Sequence, residues 1–177
     1  REAGHNLYDL TGAVGLRDAL AAHRAGRVVV LTAAPAYKCP AAPYEAALLI
    51  ADALHIGSSR ATGEVAVYAA EPGPMGVAGP EVSSAVRQLL HARQIPYFPE
   101  HQVTEVAPLA RRITFANGAR AEFDLLAYVP PHRAPGVVRD SGLTTETGWI
   151  GVDRHTLETR FPRVYAIGDV VSIPLAL

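Results

Sequence analysis

Short unbroken apolar runs alternate along this chain with apolar stripes of helical spacing, and that alternation predicts strands and helices in turn. Arg27 to Thr32 (Arg-Val-Val-Val-Leu-Thr) reads as a buried parallel strand. Ahead of it, Thr11 to Arg24 carries Val14, Leu16, Leu20 and Ala21 at near-helical spacing, with Thr11 as N-cap and Gly26 as the C′ stop. Behind it, Tyr44 to Leu54 predicts a helix with Pro43 at its first position, where a missing N–H costs nothing. Gly57-Ser58-Ser59-Arg60 breaks that helix, and Glu64 to Ala70 predicts a second strand. The breakers from Pro72 to Pro80 mark a loop. A helix from Glu81 to Gln94 follows, with Pro80 at its start and Val82, Val86, Leu89 and Leu90 on one face. Tyr97 to Val106, Arg111 to Phe115 and Ala121 to Val129 read as strands, and Asn117-Gly118 between two of them is a strong hairpin signal. The remainder is rich in Pro, Gly and turns, and ends in an apolar strand, Arg163 to Ile167, closed by Gly168-Asp169.

Parallel strands alternating with helices and then a meander predict an α/β fold: a Rossmann-like open parallel sheet with helices on both faces and a small antiparallel β-meander. The chain divides into a lead-in with a helix (1–25), an α/β domain (26–133) and a return segment (134–177). At 177 residues there is enough chain for one sizeable core. The formal net charge of −1 gives no basic field for nucleic acid, and a single cysteine excludes an intrachain disulfide framework. No apolar run approaches a membrane span. The opening Arg1-Glu2-Ala3, without an initiating Met, and the stop at Leu177 lead us to expect a piece of a longer protein.

The only cysteine lies in Lys38-Cys39-Pro40-Ala41-Ala42-Pro43-Tyr44-Glu45, between a strand and a helix start. There the positive helix end and the Lys38 ammonium both favour thiolate, which makes Cys39 a candidate reactive thiol; the alternative is a small apolar residue packed in a loop. Glu45 either relays protons, pairs with Lys38 or simply answers the helix dipole. A dinucleotide site would need GxGxxG after the first strand, so that backbone N–H groups could approach a pyrophosphate. Here Ala33-Ala34-Pro35-Ala36-Tyr37-Lys38-Cys39-Pro40 fills that space, so NAD(P) is not an expected cofactor. Glu71 at the end of the second strand has the chemistry of a ribose acceptor, although the plainer reading is a solvated loop carboxylate. Gly168-Asp169 places a carboxylate where ligand hydroxyls could donate to it, although Gly-Asp also makes ordinary turns. The histidines at 5, 23, 55, 91, 101, 132 and 155 have no HxxxH or HExxH spacing, so no metal is expected.

Together these segments resemble the FAD-dependent pyridine nucleotide-disulfide oxidoreductase superfamily. Thr159 to Asp169 is similar to its second flavin-binding motif, and Lys38 to Glu45 to the redox-cysteine segment of the sulfide:quinone oxidoreductase and flavocytochrome c sulfide dehydrogenase branch. Pro72 to Pro80 and Thr144 to Asp153 extend the resemblance over nearly the whole chain. It implies that 26–133 is a nicotinamide-domain look-alike and that 134–177 returns toward an FAD domain. It further implies FAD as cofactor, Cys39 as redox thiol with Lys38 and Glu45 beside it, and Gly168 and Asp169 on the ribityl chain. The implied partners are a flavin and a small sulfur substrate or quinone, and the implied location is cytoplasmic, peripheral to a membrane in the parent protein. Neither the family's N-terminal GxGxxG nor its second cysteine occurs in these 177 residues, so the isolated chain is not expected to turn over alone. Two other readings stay open: an NAD(P)H-dependent flavoprotein reductase domain, and a non-catalytic module with a structural cysteine.

Overall fold

The structure, a computed structural model, describes residues 4–56 and 62–173. The Gly57–Arg60 break lies outside the described residues. Two compact units divide the chain, Arg1–Pro131 and His132–Leu177.

In the first unit, five parallel strands stand in the order β1-β8-β2-β3-β4. They are β1 (His5–Asn6), β2 (Ala25–Thr32), β3 (Thr62–Tyr68), β4 (Tyr97–Phe98) and β8 (Leu125–Val129). The run of four aliphatic residues in β2 makes it the central strand: Val28, Val29 and Val30 are fully buried and Leu31 nearly so. Its register, Val28 opposite Val65 on β3 and opposite Leu125 on β8, occupies both of its edges.

Side chains alternate across a strand, so β2 feeds two cores. Val28 and Val30 face Leu16 of α1 (Leu10–Ala22), Ala47, Ile50 and Leu54 of α2 (Ala42–Ile56) and Leu90 of α3 (Pro80–Ala92). Val29 and Leu31 face Ile113, Phe115, Ala121 and Phe123 of an antiparallel meander, β5 (Val103–Ala107), β6 (Arg112–Phe115) and β7 (Arg120–Glu122), with the short link that follows it. The Rossmann-like class and its meander are as the sequence predicts. The expected helices on both faces give way to three helices on one face and the meander on the other, for a topological reason. Steps β1→β2, β2→β3 and β3→β4 all run the same way across the sheet, and right-handed crossovers moving one way lie on one face. The return from β4 to β8 runs backwards, which puts its connection on the opposite face; that connection is the meander.

Several boundaries differ from the sequence reading. Helix α1 is capped by Asp9, whose Oδ1 accepts from Gly12 N at 2.6 Å, and not by Thr11. It ends at His23, while Gly26, with φ +106°, sits inside β2. On α3 only Leu90 of the expected apolar face is buried, whereas Val82 and Leu89 stay exposed. The predicted strand Ala121–Val129 divides in two, because Asp124 turns the chain: its N–H donates to Arg27 O (2.8 Å) and its Oδ2 accepts from Arg27 N (2.9 Å). The Asn117-Gly118 hairpin forms as read, with Gly118 at φ +81° and Asn117 Oδ1 accepting from Ala119 N.

Among its described residues the second unit holds a short α-helix, α4 (Gly136–Asp140), a single helical turn at Gly168–Val170 and isolated bridges, including Ile150 with Val171 and Glu158 with Tyr165. The strand expected over Arg163–Ile167 is reduced to that last bridge, and Tyr165 and Ile167 are exposed, for want of a further pairing strand among the described residues.

Phe115 lies 2% exposed, stacked on Tyr68 (5.1 Å between centroids), and joins the meander to the parallel sheet. Truncation of a buried aromatic that leaves a cavity costs about 3–5 kcal/mol. Phe115→Ala should therefore lower the urea midpoint by a corresponding amount without changing the denaturant slope.

Candidate functional site

At the carboxyl ends of β2 and β3 the chain gathers polar groups from three segments around one carboxyl. Thr32 closes β2 and is fully buried. Its Oγ1 accepts from Ala70 N (3.0 Å) and donates to Glu71 Oε2 (2.7 Å). The other oxygen, Oε1, accepts from both Tyr37 OH and Tyr44 OH, each at 2.5 Å. Glu71 is only 8% exposed, which corrects its reading as a solvated loop carboxylate or a ribose acceptor: both oxygens are engaged inside the protein. A buried carboxyl is costly unless its oxygens are met, and three hydroxyls meet them here. Burial, reinforced by the nearby Glu71 carboxyl, pushes the Tyr37 phenol far above the ordinary range. Burial does the same to Tyr44, with Tyr37 and Glu71 adding to it. Tyr97 stands edge-on to Tyr44 at 5.9 Å, under the Arg87 guanidinium.

Cys39 lies between the two tyrosines in sequence, is exposed, and has φ +56°. A non-glycine residue in the left-handed region costs about 1–2 kcal/mol. That conformation is held from two sides. Tyr8 OH donates to Lys38 O (2.6 Å) and to Cys39 O (3.4 Å), and Ala42 N donates to Cys39 O (3.0 Å). Lys38 is half-buried and Glu45, in the first turn of α2, is exposed. Lys38, Cys39 and Glu45 thus share one strand-to-helix junction. Gly168 and Asp169 belong to the second unit. Gly168 has φ +77°, with open space where a Cβ would stand, so the backbone conformation and not crowding calls for glycine. Asp169 is exposed in the one-turn segment that follows. Nearby in sequence, Asp153 Oδ1 accepts from His155 N, Thr156 N and Thr156 Oγ1, which together hold its carboxyl below the usual range.

The turn where a dinucleotide's phosphates would rest offers few donors. Pro43 has no N–H, Ala42 N is taken by Cys39 O, and Tyr44 N and Glu45 N both point to Ala41 O (3.1 and 3.0 Å). Among the described residues no group of three or more His, Cys, Asp or Glu has metal-holding geometry, and no helix is long and apolar enough to cross a membrane. Sequence reasoning passed over Thr32 and Tyr8 entirely and gave Tyr37 no role. The available signal was two tyrosines flanking a cysteine opposite a strand-end glutamate.

A family profile described as pyridine nucleotide-disulphide oxidoreductase matches residues 11–176. The chain belongs to this family. Among curated proteins it is similar to the mitochondrial sulfide:quinone oxidoreductases of Schizosaccharomyces pombe (28% identical over 85% of this chain) and Mus musculus (26% over 52%). It spans 34% and 22% of their respective lengths. Its fold matches that of the sulfide:quinone oxidoreductase from Aquifex aeolicus, with a TM-score of 0.68 and 19% identity over 85% of this chain and 37% of that one. It also matches an NAD-dependent persulfide reductase from A. fulgidus, at 0.65 and 20% over 96% and 29%.

The raised phenols have a pH consequence. Because neutral Tyr37 and Tyr44 are favoured by folding, their contribution is whole below the unfolded value of 10.0 and is lost as pH rises toward the folded values. In an alkaline titration followed by tyrosinate absorbance, these two phenols should ionise only as the protein unfolds, after the exposed ones. Ionisation of all seven tyrosines in one step with the fold intact would contradict this.

Proposed function

We propose that this chain is the thiol-presenting, nicotinamide-domain-like part of an FAD-dependent oxidoreductase that takes electrons from a small sulfur substrate and passes them to an acceptor such as a quinone. The observation that carries the reading is Cys39 itself. An exposed sulfur sits in a strained left-handed residue, beyond the carboxyl ends of parallel strands, where open α/β sheets bind ligands. Sulfide:quinone oxidoreductase relatives support the substrate class.

In this reading Cys39 takes up the sulfur atom, and Lys38 supplies positive charge beside the anionic substrate and thiolate. Oxidation of hydrosulfide to zero-valent sulfur releases two electrons and one proton. Glu45, exposed at the start of α2, receives that proton. A second thiol completes the relay from outside these 177 residues, which contain one cysteine. A bound flavin supplies the two-electron sink. Asp169 fits a contact to the flavin's ribityl hydroxyls, since its exposed carboxylate follows a left-handed Gly168 that lets a ligand approach the backbone. The parent protein works in the cytoplasm and meets a membrane peripherally.

The residues present do not fit a nicotinamide dinucleotide. The turn after β2 has no glycine, the first N–H groups of α2 are committed, and both Glu71 oxygens are engaged. No step is therefore assigned to NAD(P)H. Titration with NADH and with NADPH should show no saturable binding up to about 1 mM, an affinity of only some 4 kcal/mol. Micromolar binding would favour the reductase reading instead.

The thiol role has its own test. After exposure to inorganic polysulfide, intact-mass analysis should find one added sulfur atom on the native chain and none on Cys39→Ser. A native chain that stays unmodified while a peptide thiol reacts would leave Cys39 a structural residue.

A further inference from the structure

We propose that Glu71 is the positioning residue of the thiol loop: its carboxyl gathers the two tyrosines that bracket Cys39 and so holds Cys39 in the left-handed conformation that presents its sulfur. The inference rests on the redox reading of Cys39 for its functional meaning, and on geometry for everything else.

The loop between β2 and α2 has no ladder of its own to fix it. Apart from backbone bonds at its two ends, Ala33 N to Val129 O and Ala42 N to Cys39 O, what fixes it is side-chain chemistry. Tyr37 lies in the loop two residues before Cys39 and Tyr44 five residues after it, in the first turn of α2, and both phenols end on the same oxygen, Glu71 Oε1, at 2.5 Å. A single acceptor shared by two donors sets their separation, and with it the span available to the residues between them. Glu71 can act as that fixed point because it is itself tied down. Its second oxygen accepts from Thr32, Thr32 is buried at the end of the central strand, and Glu71 O accepts from Glu100 N at 3.1 Å. The strand pair β2 and β3 thus supplies the rigid base, Glu71 transmits it, and the tyrosines carry it to the loop. From the other side, Tyr8 OH holds the Lys38 and Cys39 carbonyls, so the backbone at the thiol is gripped at both faces of the turn. Glu71 touches neither the sulfur nor a substrate; it acts through Tyr37 and Tyr44.

Three variants of the 177-residue chain test this. Glu71→Gln keeps a carbonyl oxygen able to accept from both phenols. Glu71→Leu removes the acceptor while preserving bulk, and Tyr37→Phe removes one donor with Glu71 intact. Two readouts are taken at a temperature where circular dichroism shows each variant folded. One is the set of backbone scalar couplings of Cys39, which report its φ. The other is the second-order rate of Cys39 alkylation by iodoacetamide.

Glu71→Leu and Tyr37→Phe should lose the positive-φ signature and alkylate more slowly by about fivefold, the factor that corresponds to one net hydrogen bond. Glu71→Gln should retain the signature and stay near the native rate. Should Glu71→Leu fail to fold, Tyr37→Phe against Glu71→Gln decides the matter alone. Persistence of positive φ and of the native rate in Tyr37→Phe and Glu71→Leu overturns the positioning role. A native rate no faster than that of an unstructured peptide thiol, with φ still dependent on Glu71, leaves the positioning role standing and removes the redox reading instead.

Discussion

One strand carries this structure. From Val28 to Leu31 β2 pairs along both edges and buries side chains on both faces, so the strand cannot shift there without breaking a ladder or opening a core. Its last residue, Thr32, therefore stands at a fixed point. The hydroxyl there turns that rigidity into a polar anchor, binding the backbone at Ala70 and the carboxyl of Glu71 in the next strand's exit. The thiol loop begins immediately beyond: these two bonds fix Glu71, which takes the Tyr37 and Tyr44 hydroxyls, while Tyr8 OH and Ala42 N hold the Cys39 carbonyl from the other side.

The layering follows from the same strand by topology. With β2 in the middle, forward crossovers place α1, α2 and α3 together on one side, and the backward step to β8 must run over the other. A helix could have made that return. Instead the meander does, offering Ile113, Phe115, Ala121 and Phe123 to the half of β2 that the helices leave uncovered. Phe115 and Tyr68 stack at 5.1 Å, with His101 edge-on to both rings, so the second core is aromatic where the first is aliphatic.

Elements whose signal is local were legible in the sequence. Val-Val-Val-Leu reads as a buried strand and is one, Asn117-Gly118 signals a tight turn and makes one, and Pro80 does open α3. Ends set by side chains were less legible: Thr11 has the residue type of a cap, but Asp9 makes the bond. Glu71 marks where local reading stops. A glutamate after Ala69-Ala70 and before Pro72-Gly73 has the grammar of a solvated turn, and nothing within the turn says otherwise. Its burial depends on the β2–β3 register, which brings Thr32 beside it, and on a loop 27 and 34 residues earlier that delivers two phenols. The return segment fails in the opposite sense: Arg163–Ile167 has strand chemistry, but pairing beyond one bridge is a property of a neighbour and not of the segment.

Presenting a thiol and cradling a pyrophosphate compete for the same turn. A cradle needs glycines, free N–H groups at the helix start and an unengaged acid at the end of the next strand. Each of those is spent here on the Cys39 loop. Ala42 N goes to Cys39 O, Pro43 removes a donor while filling buried space, Tyr37 and Tyr44 bring in bulky phenols, and the strand-end acid serves as their common acceptor. Reversing any one would not recover the cradle, because freeing Glu71 strands two buried phenols and replacing the phenols strands a buried carboxyl. Tyr37, Tyr44 and Glu71 are coupled through one oxygen atom, Glu71 Oε1. In this α/β sheet of dinucleotide-binding form, the turn after β2 spends on its own backbone and side chains the hydrogen bonds that a phosphate cradle would leave open.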